Sequence, residues 1–223
     1  MTIDWHSFWP PVLLSLQVAL LASVVAAVLG IAAAWRMAKK TFRGKTLLET
    51  LFMLPLVLPP TVVGFLLLIA LGRRGWLGRL AESVFAEPIV FSPWAAVIAA
   101  TVVAFPLVYQ TMKTGFEEVD RALEESARSA GAGEWAVFRY ITLPLAGRSV
   151  LTAYILGFAR ALGEFGATLM IAGNIPGKTQ TIPTAIYVAV DAGNQTMAWA
   201  WTIGIVVISF ILLLLTGRLR KRD

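Results

Sequence analysis

The segment EEVDRALEESARSAGAGEWAVFRYITLP, residues 117–144, is a charged stretch in a chain that is otherwise mostly apolar. Residues 117–130 predict a helix, because their apolar positions recur at helical spacing. Gly131 and Gly133 interrupt this helix, and glycine is the residue at which a chain turns most easily. Residues 134–141 predict a second short helix. The segment therefore predicts two short helices at an angle to each other, held at a membrane surface between long apolar runs.

Two details of this segment give further expectations. Leu123, Ala127 and Ala130 fall along one side of the first predicted helix and form its apolar side. Pro144 suits the first turn of a helix, so the next membrane span is expected to open there.

Five runs outside this segment are apolar enough to be membrane spans, since each reaches about the 20 residues that a helix needs to cross a bilayer. They lie at about residues 12–35, 47–72, 91–112, 148–172 and 196–217. A shorter apolar run, residues 182–190, predicts a surface or re-entrant helix. Only 14% of the residues are charged, against about 25% in soluble domains. We therefore expect an all-α integral membrane protein, a single domain over residues 1–223 with five full spans plus the short helix.

The Lys and Arg residues are distributed unequally between the two sides of these spans. With five spans and the N-terminus outside, one side holds Arg36, Lys39, Lys40, Arg43, Lys45, Lys113, Arg121, Arg128, Arg139, Arg148, Arg218, Arg220, Lys221 and Arg222. The other side holds Arg73, Arg74, Arg79 and Lys178. Because cytoplasmic loops are enriched in Lys and Arg, the sequence predicts that residues 117–144 and the C-terminus are cytoplasmic and that the N-terminus lies outside.

The composition argues against catalytic and metal chemistry. The chain has no Cys and one His, His6, which lies outside the apolar runs, so the usual zinc ligands are lacking. An intramembrane enzyme would need a nucleophile with its base, or metal ligands, within the spans. A secondary transporter working alone would be expected to show internal repeats, and we find none. We expect no catalytic residue, no metal and no cofactor bound by this chain, membrane lipid as a partner, and no nucleic-acid partner.

The second apolar run contains Pro55, Pro59 and Pro60, followed by Thr61. Each proline removes a backbone N–H donor and disturbs the carbonyl four residues earlier, so the helix is expected to kink or unwind. In lipid, freed backbone groups are tolerated only against protein or a water-filled cavity. Pro59, Pro60 and Thr61 are therefore candidates for the lining of a transport pathway, and a kink that serves packing alone remains the alternative.

The fourth apolar run begins with Arg148 and contains two charges in its interior, Arg160 and Glu164. A charge near the bilayer centre costs about 2.5–3.5 kcal/mol on insertion scales, so such residues are candidates for function. Their spacing places them on one helical face, where they can pair, and we favour a structural or gating ion pair over a ligand site. Gly163 and Gly166 would allow a bend or a close helix contact, and Thr168 could offer a hydroxyl.

The charged segment matches a known motif at the positions Glu125, Ser126, Ala127, Gly131, Ile141, Leu143 and Pro144. The pattern resembles the EAA loop of ATP-binding-cassette (ABC) importer permeases, with Ser126 in place of the usual first alanine. The resemblance implies that these residues contact a separate cytoplasmic ATPase and couple its motion to the spans. An ordinary amphipathic interfacial helix would explain the apolar side of the first helix, but not the glycine pair together with the Ile-x-Leu-Pro ending.

The resemblance extends over nearly the whole chain. Residues 54–68, LPLVLPPTVVGFLLL, and residues 161–187, ALGEFGATLMIAGNIPGKTQTIPTAIY, are similar to molybdate ABC transporter permeases. This family implies a type I importer permease (MetI-like) fold in the inner membrane, a homodimer and an extracytoplasmic oxyanion-binding protein. It also implies a cytoplasmic ATPase dimer that uses ATP and Mg, with transport by alternating access. Tungstate and sulfate or thiosulfate remain alternative cargoes. Five spans are too few to enclose a pathway, which independently favours a two-fold dimer.

Overall fold

A computed structural model describes residues 3–85 and 87–220, and within these residues it contains helices and no strand. The elements are α1 (Trp5–Ala38), α2 (Lys45–Val57), α3 (Pro60–Leu71), α4 (Trp76–Phe85), α5 (Pro93–Glu117), α6 (Arg121–Ser129), α7 (Glu134–Val137), a π-helical turn (Phe138–Thr142), α8 (Leu143–Leu145), α9 (Gly147–Leu162), α10 (Gly166–Ala172), α11 (Ile182–Asp191) and α12 (Gln195–Arg220). Lys221 and Arg222 of the basic tail lie outside the described residues.

Three helices are long and apolar enough to cross a membrane unbroken, namely α1, α5 and the Gln195–Leu214 part of α12. The other two expected spans are interrupted. The run at 47–72 forms α2 and α3, which are bent by 113° relative to each other. The run at 148–172 forms α9 and α10, with a break between Leu162 and Gly166. The helical segment Glu134–Leu145 is bent by 74° relative to α9. The described chain thus has three continuous spans and up to five when each bent pair counts as one.

Helices α1, α5 and α9 form the core and contact one another through small residues. Fully buried alanines line the contact, among them Ala19, Ala22 and Ala26 of α1 and Ala96, Ala100 and Ala104 of α5. Val108 of α5 lies between two glycines: a Cβ on Gly30 of α1 or on Gly157 of α9 would lie 2.7 Å from one of its methyl groups. Small residues at such contacts let helix backbones approach closely in a membrane.

The two ends of α1 contact different parts of the chain. Near its N-terminus, Ser15 Oγ accepts a hydrogen bond from Ile182 N of α11 (2.7 Å), and Phe8 O accepts one from Trp201 Nε1 of α12 (3.1 Å). Near its C-terminus, Trp35 packs on Phe138 of the π-helical turn. The charged segment and α11 therefore lie at opposite ends of the bundle.

The charged segment differs from expectation in where its helices begin and end. The first short helix begins at Arg121 rather than at residue 117, because α5 continues through Glu117 and Asp120 then caps α6 by accepting a hydrogen bond from Ala122 N (2.9 Å). Pro144 does not open the next span. It lies within α8, the chain breaks at Ala146, and α9 begins one residue later.

Two shorter helices complete the fold. The expected short apolar helix is α11, Ile182–Asp191, which is buried against α1 and α12. Helix α4 was not expected, because Arg79 and Glu82 keep its sequence from being an apolar run. The neighbouring Arg73 forms an ion pair with Glu82 (3.6 Å).

Several helices leave apolar side chains uncovered on their outer faces. Leu13, Val28 and Leu29 of α1 and Ile203, Val206 and Phe210 of α12 are all at least half exposed. A water-soluble monomer rarely exposes contiguous apolar faces of this kind. In a membrane protein these faces contact lipid or another subunit.

Candidate functional site

The turn between α6 and α7 is built around Gly131. Its φ of +92° is a left-handed conformation that favours glycine. Gly131 N donates to Arg128 O (2.9 Å) and Ala132 N donates to Ala127 O (3.0 Å). These two bonds satisfy carbonyls at the end of α6 in the arrangement of a Schellman motif. The backbone at position 131 therefore favours glycine, the residue that the motif has there.

An ion pair closes the same turn. Arg128 Nε and Nη2 donate to Glu134 Oε1 and Oε2 at 2.7 and 3.2 Å. Such two-point pairs fix geometry as well as charge. The hydrogen bonds from the Arg128 guanidinium hold the pKa of the Glu134 carboxyl below its usual value, so the pair remains ionised at neutral pH. Helices α6 and α7 are thus joined across Gly131 by backbone and side-chain bonds together.

The motif residues differ in exposure. Glu125, Ser126, Gly131 and Pro144 are exposed, and Ala127 is half-buried. A Cβ added at Gly131 would meet no atom within 4 Å, so the space beside the turn is open. Ile141 and Leu143 are half-buried and belong to the helical segment that leads to α9. The exposed members leave an uncovered surface at the end of the bundle.

The side of α6 that packs on the rest of the protein is not the apolar one. Leu123 is 49% exposed, whereas Glu124 is 3% exposed. Leu123, on the apolar side of the helix, is therefore not part of the side that packs. The reason is electrostatic: Glu124 Oε1 lies 2.9 Å from Lys39 Nζ and accepts a hydrogen bond from Thr142 Oγ1 (2.7 Å).

Sequence reasoning missed Glu124 and Lys39 as a pair. Lys39 follows α1 and Glu124 lies in α6, and no sequence spacing links residues so far apart. The available signal was weak: a carboxylate beside the motif, and a Lys/Arg cluster after the first span that could face it. Lys39 Nζ also donates to Val119 O (3.2 Å), in the linker between α5 and α6.

Aromatic side chains reinforce this contact. The Trp35 ring lies 4.4 Å from the Phe138 ring and 5.9 Å from the Trp135 ring, measured between centroids. Phe116 of α5 lies 5.9 Å from Phe138. Aromatic pairs at such separations stabilise by about 0.5–1.5 kcal/mol beyond their burial. The charged segment is therefore held against the ends of both α1 and α5.

The breaks in the second and fourth spans lie next to each other. A Cβ on Gly166 would lie 3.0 Å from Pro60 Cβ and 3.3 Å from Thr61 N. Pro59 has an extended conformation (φ −52°, ψ 135°), which ends α2 and lets Pro60 begin α3. Pro59, Pro60 and Thr61 are exposed in the single chain, as is Gly163. The structure thus brings together pathway candidates that lie far apart in sequence.

Helices α3 and α10 are in backbone contact beyond the breaks. A Cβ on Gly64 would lie 2.7 Å from both Ala167 Cα and Met170 Cβ. No side chain fits between the two helices at this point, so α3 and α10 form one closely packed unit. Thr168 of α10 is buried in it, with 1% exposure.

The ion pair expected from the spacing of Arg160 and Glu164 is present. Arg160 Nη1 lies 2.9 Å from Glu164 Oε2, and the Glu164 side chain is only 2% exposed. Glu164 Oε1 also accepts a hydrogen bond from Ala167 N at the start of α10 (2.8 Å). The pair therefore joins the end of α9 to the start of α10 across the break, and Arg160 is its more exposed member.

A second charged cluster joins α2 to α5, and sequence reasoning missed it too. Glu49 Oε1 lies 2.7 Å from Lys113 Nζ and accepts a hydrogen bond from Tyr109 Oη (3.2 Å). Lys45 approaches the same oxygen at 3.9 Å. The partners lie in different helices, so the sequence alone did not pair them. Across residues 3–85 and 87–220, no group of three or more His, Asp or Glu side chains is placed to hold a metal ion.

Comparison with known proteins relates residues 26–222 to the family described as binding-protein-dependent transport system inner membrane component. The chain is 57% identical to the putative molybdenum transport system permease protein YvgM of Bacillus subtilis (strain 168), over 95% of this chain and 93% of that one. It is 44% identical to the molybdenum transport system permease protein ModB of Escherichia coli (strain K12), over 96% and 93%. The sulfate transport system permease protein CysW of Synechococcus elongatus is 38% identical, over 86% and 67%.

Solved structures share the fold at low sequence identity. A bacterial ABC transporter involved in the import of alginate matches with a TM-score of 0.76 and 16% identity, over 99% of this chain and 82% of that one. The MetNI methionine ABC transporter, in an inward-facing conformation, matches with a TM-score of 0.71 and 15% identity, over 98% of both chains. The helical arrangement is therefore that of the type I (MetI-like) ABC importer permeases.

Proposed function

The chain belongs to the family of binding-protein-dependent transport system inner membrane components, and from this premise we propose that it is the permease subunit of an ATP-driven molybdate importer. The assignment of molybdate as the cargo rests on the 57% identity, over 95% of the chain, with a relative named for molybdenum transport. The chain is a multi-pass membrane transport subunit and not an enzyme. ATP and Mg are used by a separate ATPase subunit.

Sulfate or thiosulfate is the second candidate cargo. The 38% identity to a sulfate permease covers a smaller share of both chains than the molybdenum relatives do, which favours molybdate. Tungstate and molybdate are both tetrahedral dianions, so tungstate is expected to follow the same route. The extracytoplasmic binding protein makes most of this selection before the anion reaches the permease.

The ATPase docks on the segment that we call the docking loop, residues 117–144. Glu125, Ser126 and Gly131 are exposed there, and the open space beside Gly131 admits the surface of another protein. Glu125 offers a negative charge to a basic rim or a helix N-terminus of the partner. Because α6 and α7 are joined by the Arg128–Glu134 pair, the loop moves as a unit when the ATPase moves.

A homodimer completes the pathway. Pro59, Thr61 and Gly163 are exposed in the single chain although they belong to apolar spans. Irregular backbone at membrane depth needs protein or water beside it, and a second copy related by a two-fold axis supplies both. The adjacent breaks in the second and fourth spans then form the gate. It includes Pro60 of the second span and Arg160, Glu164, Gly166 and Thr168 of the fourth.

The docking loop faces the cytoplasm, where the basic residues after α1 also lie, and the N-terminus lies outside. The opposite end of the bundle, with α11 and the turn before α4, faces the extracytoplasmic binding protein. Closure of the ATPase pair on ATP draws the two docking loops together and opens the outer side. Hydrolysis releases them and opens the inner side. This is alternating access by rigid-body motion.

The decisive experiment is reconstitution of this chain in proteoliposomes with its ATPase and binding protein. We expect ATP-dependent uptake and stimulated ATP hydrolysis with molybdate and with tungstate, and none with sulfate at equal concentration. Stronger stimulation of ATP hydrolysis by sulfate than by molybdate would instead favour sulfate as the cargo. An ATPase that does not copurify with the chain would contradict the importer assignment itself.

A further inference from the structure

We infer that the Lys39–Glu124 ion pair is a second mechanical connection between the docking loop and the membrane spans. It joins the loop to the C-terminal end of α1, in addition to the covalent connection into α9. Lys39 and Glu124 are then positioning residues for energy coupling. The inference rests on the proposed function, because it takes the docking loop as the place where the ATPase acts.

One buried carboxylate joins four segments at this point. Glu124 of α6 is 4% exposed in its side chain and lies 2.9 Å from Lys39 Nζ at the end of α1. Thr142 of the π-helical turn donates to the same Glu124 oxygen. Lys39 in turn donates to Val119 O in the α5–α6 linker. Arg128 Nη2 lies 3.8 Å from the other Glu124 oxygen, so the carboxylate faces two cations and carries no uncompensated charge.

The last turns of α1 contact both halves of the docking loop. Trp35 is four residues before Lys39 and therefore lies on the same helical face. Its ring packs on Phe138 and Trp135, which follow the Gly131 turn, whereas Lys39 binds Glu124, which precedes it. The end of α1 thus contacts the chain on both sides of the Gly131 turn.

The covalent connection into α9 is poorly suited to transmit motion alone. The helical segment of the loop and α9 are bent by 74° relative to each other, and the chain at Ala146 leaves helical geometry (ψ 10°). Such a joint can absorb a rotation. The Lys39–Glu124 pair yields less easily, because separating it would leave the buried Glu124 with only the more distant Arg128 as a cation.

Motion delivered to α1 reaches the whole bundle. Helix α1 packs along α5 and α9 through alanine and glycine contacts, so a shift of α1 displaces the core helices together. The gate lies at the end of α9, where Arg160 and Glu164 join it to α10. The docking loop therefore reaches the gate by two routes, and the ion pair belongs to the route through α1.

The test compares Lys39→Met, Glu124→Gln and the double variant, with Lys39→Arg as the conservative change. Lys40→Met is the matched control, since Lys40 is the exposed neighbour of Lys39. Each permease is assembled with its ATPase and binding protein in proteoliposomes. Three quantities are measured for each: the ATPase bound per permease, the rate of molybdate-stimulated ATP hydrolysis, and the molybdate taken up per ATP hydrolysed.

We expect both single variants to keep the bound ATPase and to lose about tenfold in molybdate taken up per ATP, within the range of coupling between sites. The double variant should be no worse than either single one, since residues that act through one contact are not additive. Lys39→Arg should keep most of the coupling, and Lys40→Met should match the unsubstituted protein.

Three results would overturn the inference: unchanged uptake per ATP in Lys39→Met, an additive loss in the double variant, or loss of the bound ATPase rather than of coupling. If Glu124→Gln does not reach the membrane, the comparison of Lys39→Met with Lys39→Arg decides alone, because both leave Glu124 in place. Failure of the unsubstituted permease to bind its ATPase would instead refute the proposed function, and this inference with it.

Discussion

Glu124 and Glu125 are consecutive residues with opposite environments. Glu124 is buried and paired with Lys39, whereas Glu125, about 100° further around α6, is exposed. Two adjacent carboxylates in one helix thus face the inside of the protein and the surface that we propose for the ATPase. The same substitution at each position is therefore expected to have different consequences.

Glu125→Gln should weaken ATPase binding without changing stability. An exposed charge at the rim of an interface mainly affects association and its salt dependence, so the variant should dissociate from the ATPase at lower salt than the unsubstituted protein. Copurification at rising ionic strength measures this, with thermal unfolding in detergent as the stability check. Asp191→Asn is the control, because Asp191 is also exposed but lies in α11, at the opposite end of the bundle. Equal salt sensitivity of the two variants would argue against a contact at Glu125.

Gly131→Ala should destabilise the docking loop. The residue at this position has φ +92°, and a left-handed conformation costs about 1–2 kcal/mol for a residue with a Cβ. A bulky substitution such as Gly131→Trp should in addition fill the open space and abolish both ATPase copurification and transport. Gly133→Ala is a matched control, since Gly133 has φ −71° and its added Cβ would meet no atom within 4 Å. Normal transport by Gly131→Trp would refute the docking site.

Arg160→Ala should be more severe than Glu164→Gln. Removal of Arg160 leaves the buried Glu164 carboxylate without its cation, a change that costs about 3–5 kcal/mol in buried pairs. A glutamine at position 164 keeps one acceptor oxygen, which can still accept from Ala167 N, and the cation left without its carboxylate is on the partly exposed Arg160. Thermal unfolding of the purified permease measures the order, with Arg139→Ala, an exposed arginine, as the control. Equal or reversed severity would indicate a separate role for Glu164.

Gly64→Ala should loosen the contact between α3 and α10. Its Cβ would lie 2.7 Å from Ala167 Cα, and a backbone atom cannot turn aside as a side chain does. Overpacking of this kind costs about 1–3 kcal/mol, and displacement of α10 should also lower transport. Gly147→Ala, whose Cβ would meet no atom within 4 Å, should unfold at nearly the same temperature as the unsubstituted protein. A Gly64→Ala permease as stable as that control would contradict the packing.

The sequence predicted the features that depend on local chemistry. The turn at Gly131, the break at Pro59, the short helix α11 and the pair of Arg160 with Glu164 follow from backbone preferences and helical spacing. The pairing of Lys39 with Glu124 and of Glu49 with Lys113 could not be predicted, because these contacts join helices whose arrangement is set by tertiary packing. The exposure of Leu123 has the same cause: the ion pair of Glu124, and not the apolar pattern, sets which side of α6 packs on the protein.

The alanine and glycine contacts among α1, α5 and α9 have a thermodynamic consequence. Side chains of this kind have no rotamers to lose, so their burial costs no side-chain conformational entropy. When these helices move together as one unit, few side chains have to be reordered. The outward and inward arrangements can therefore be nearly equal in side-chain entropy, which leaves the binding of nucleotide and cargo to decide between them.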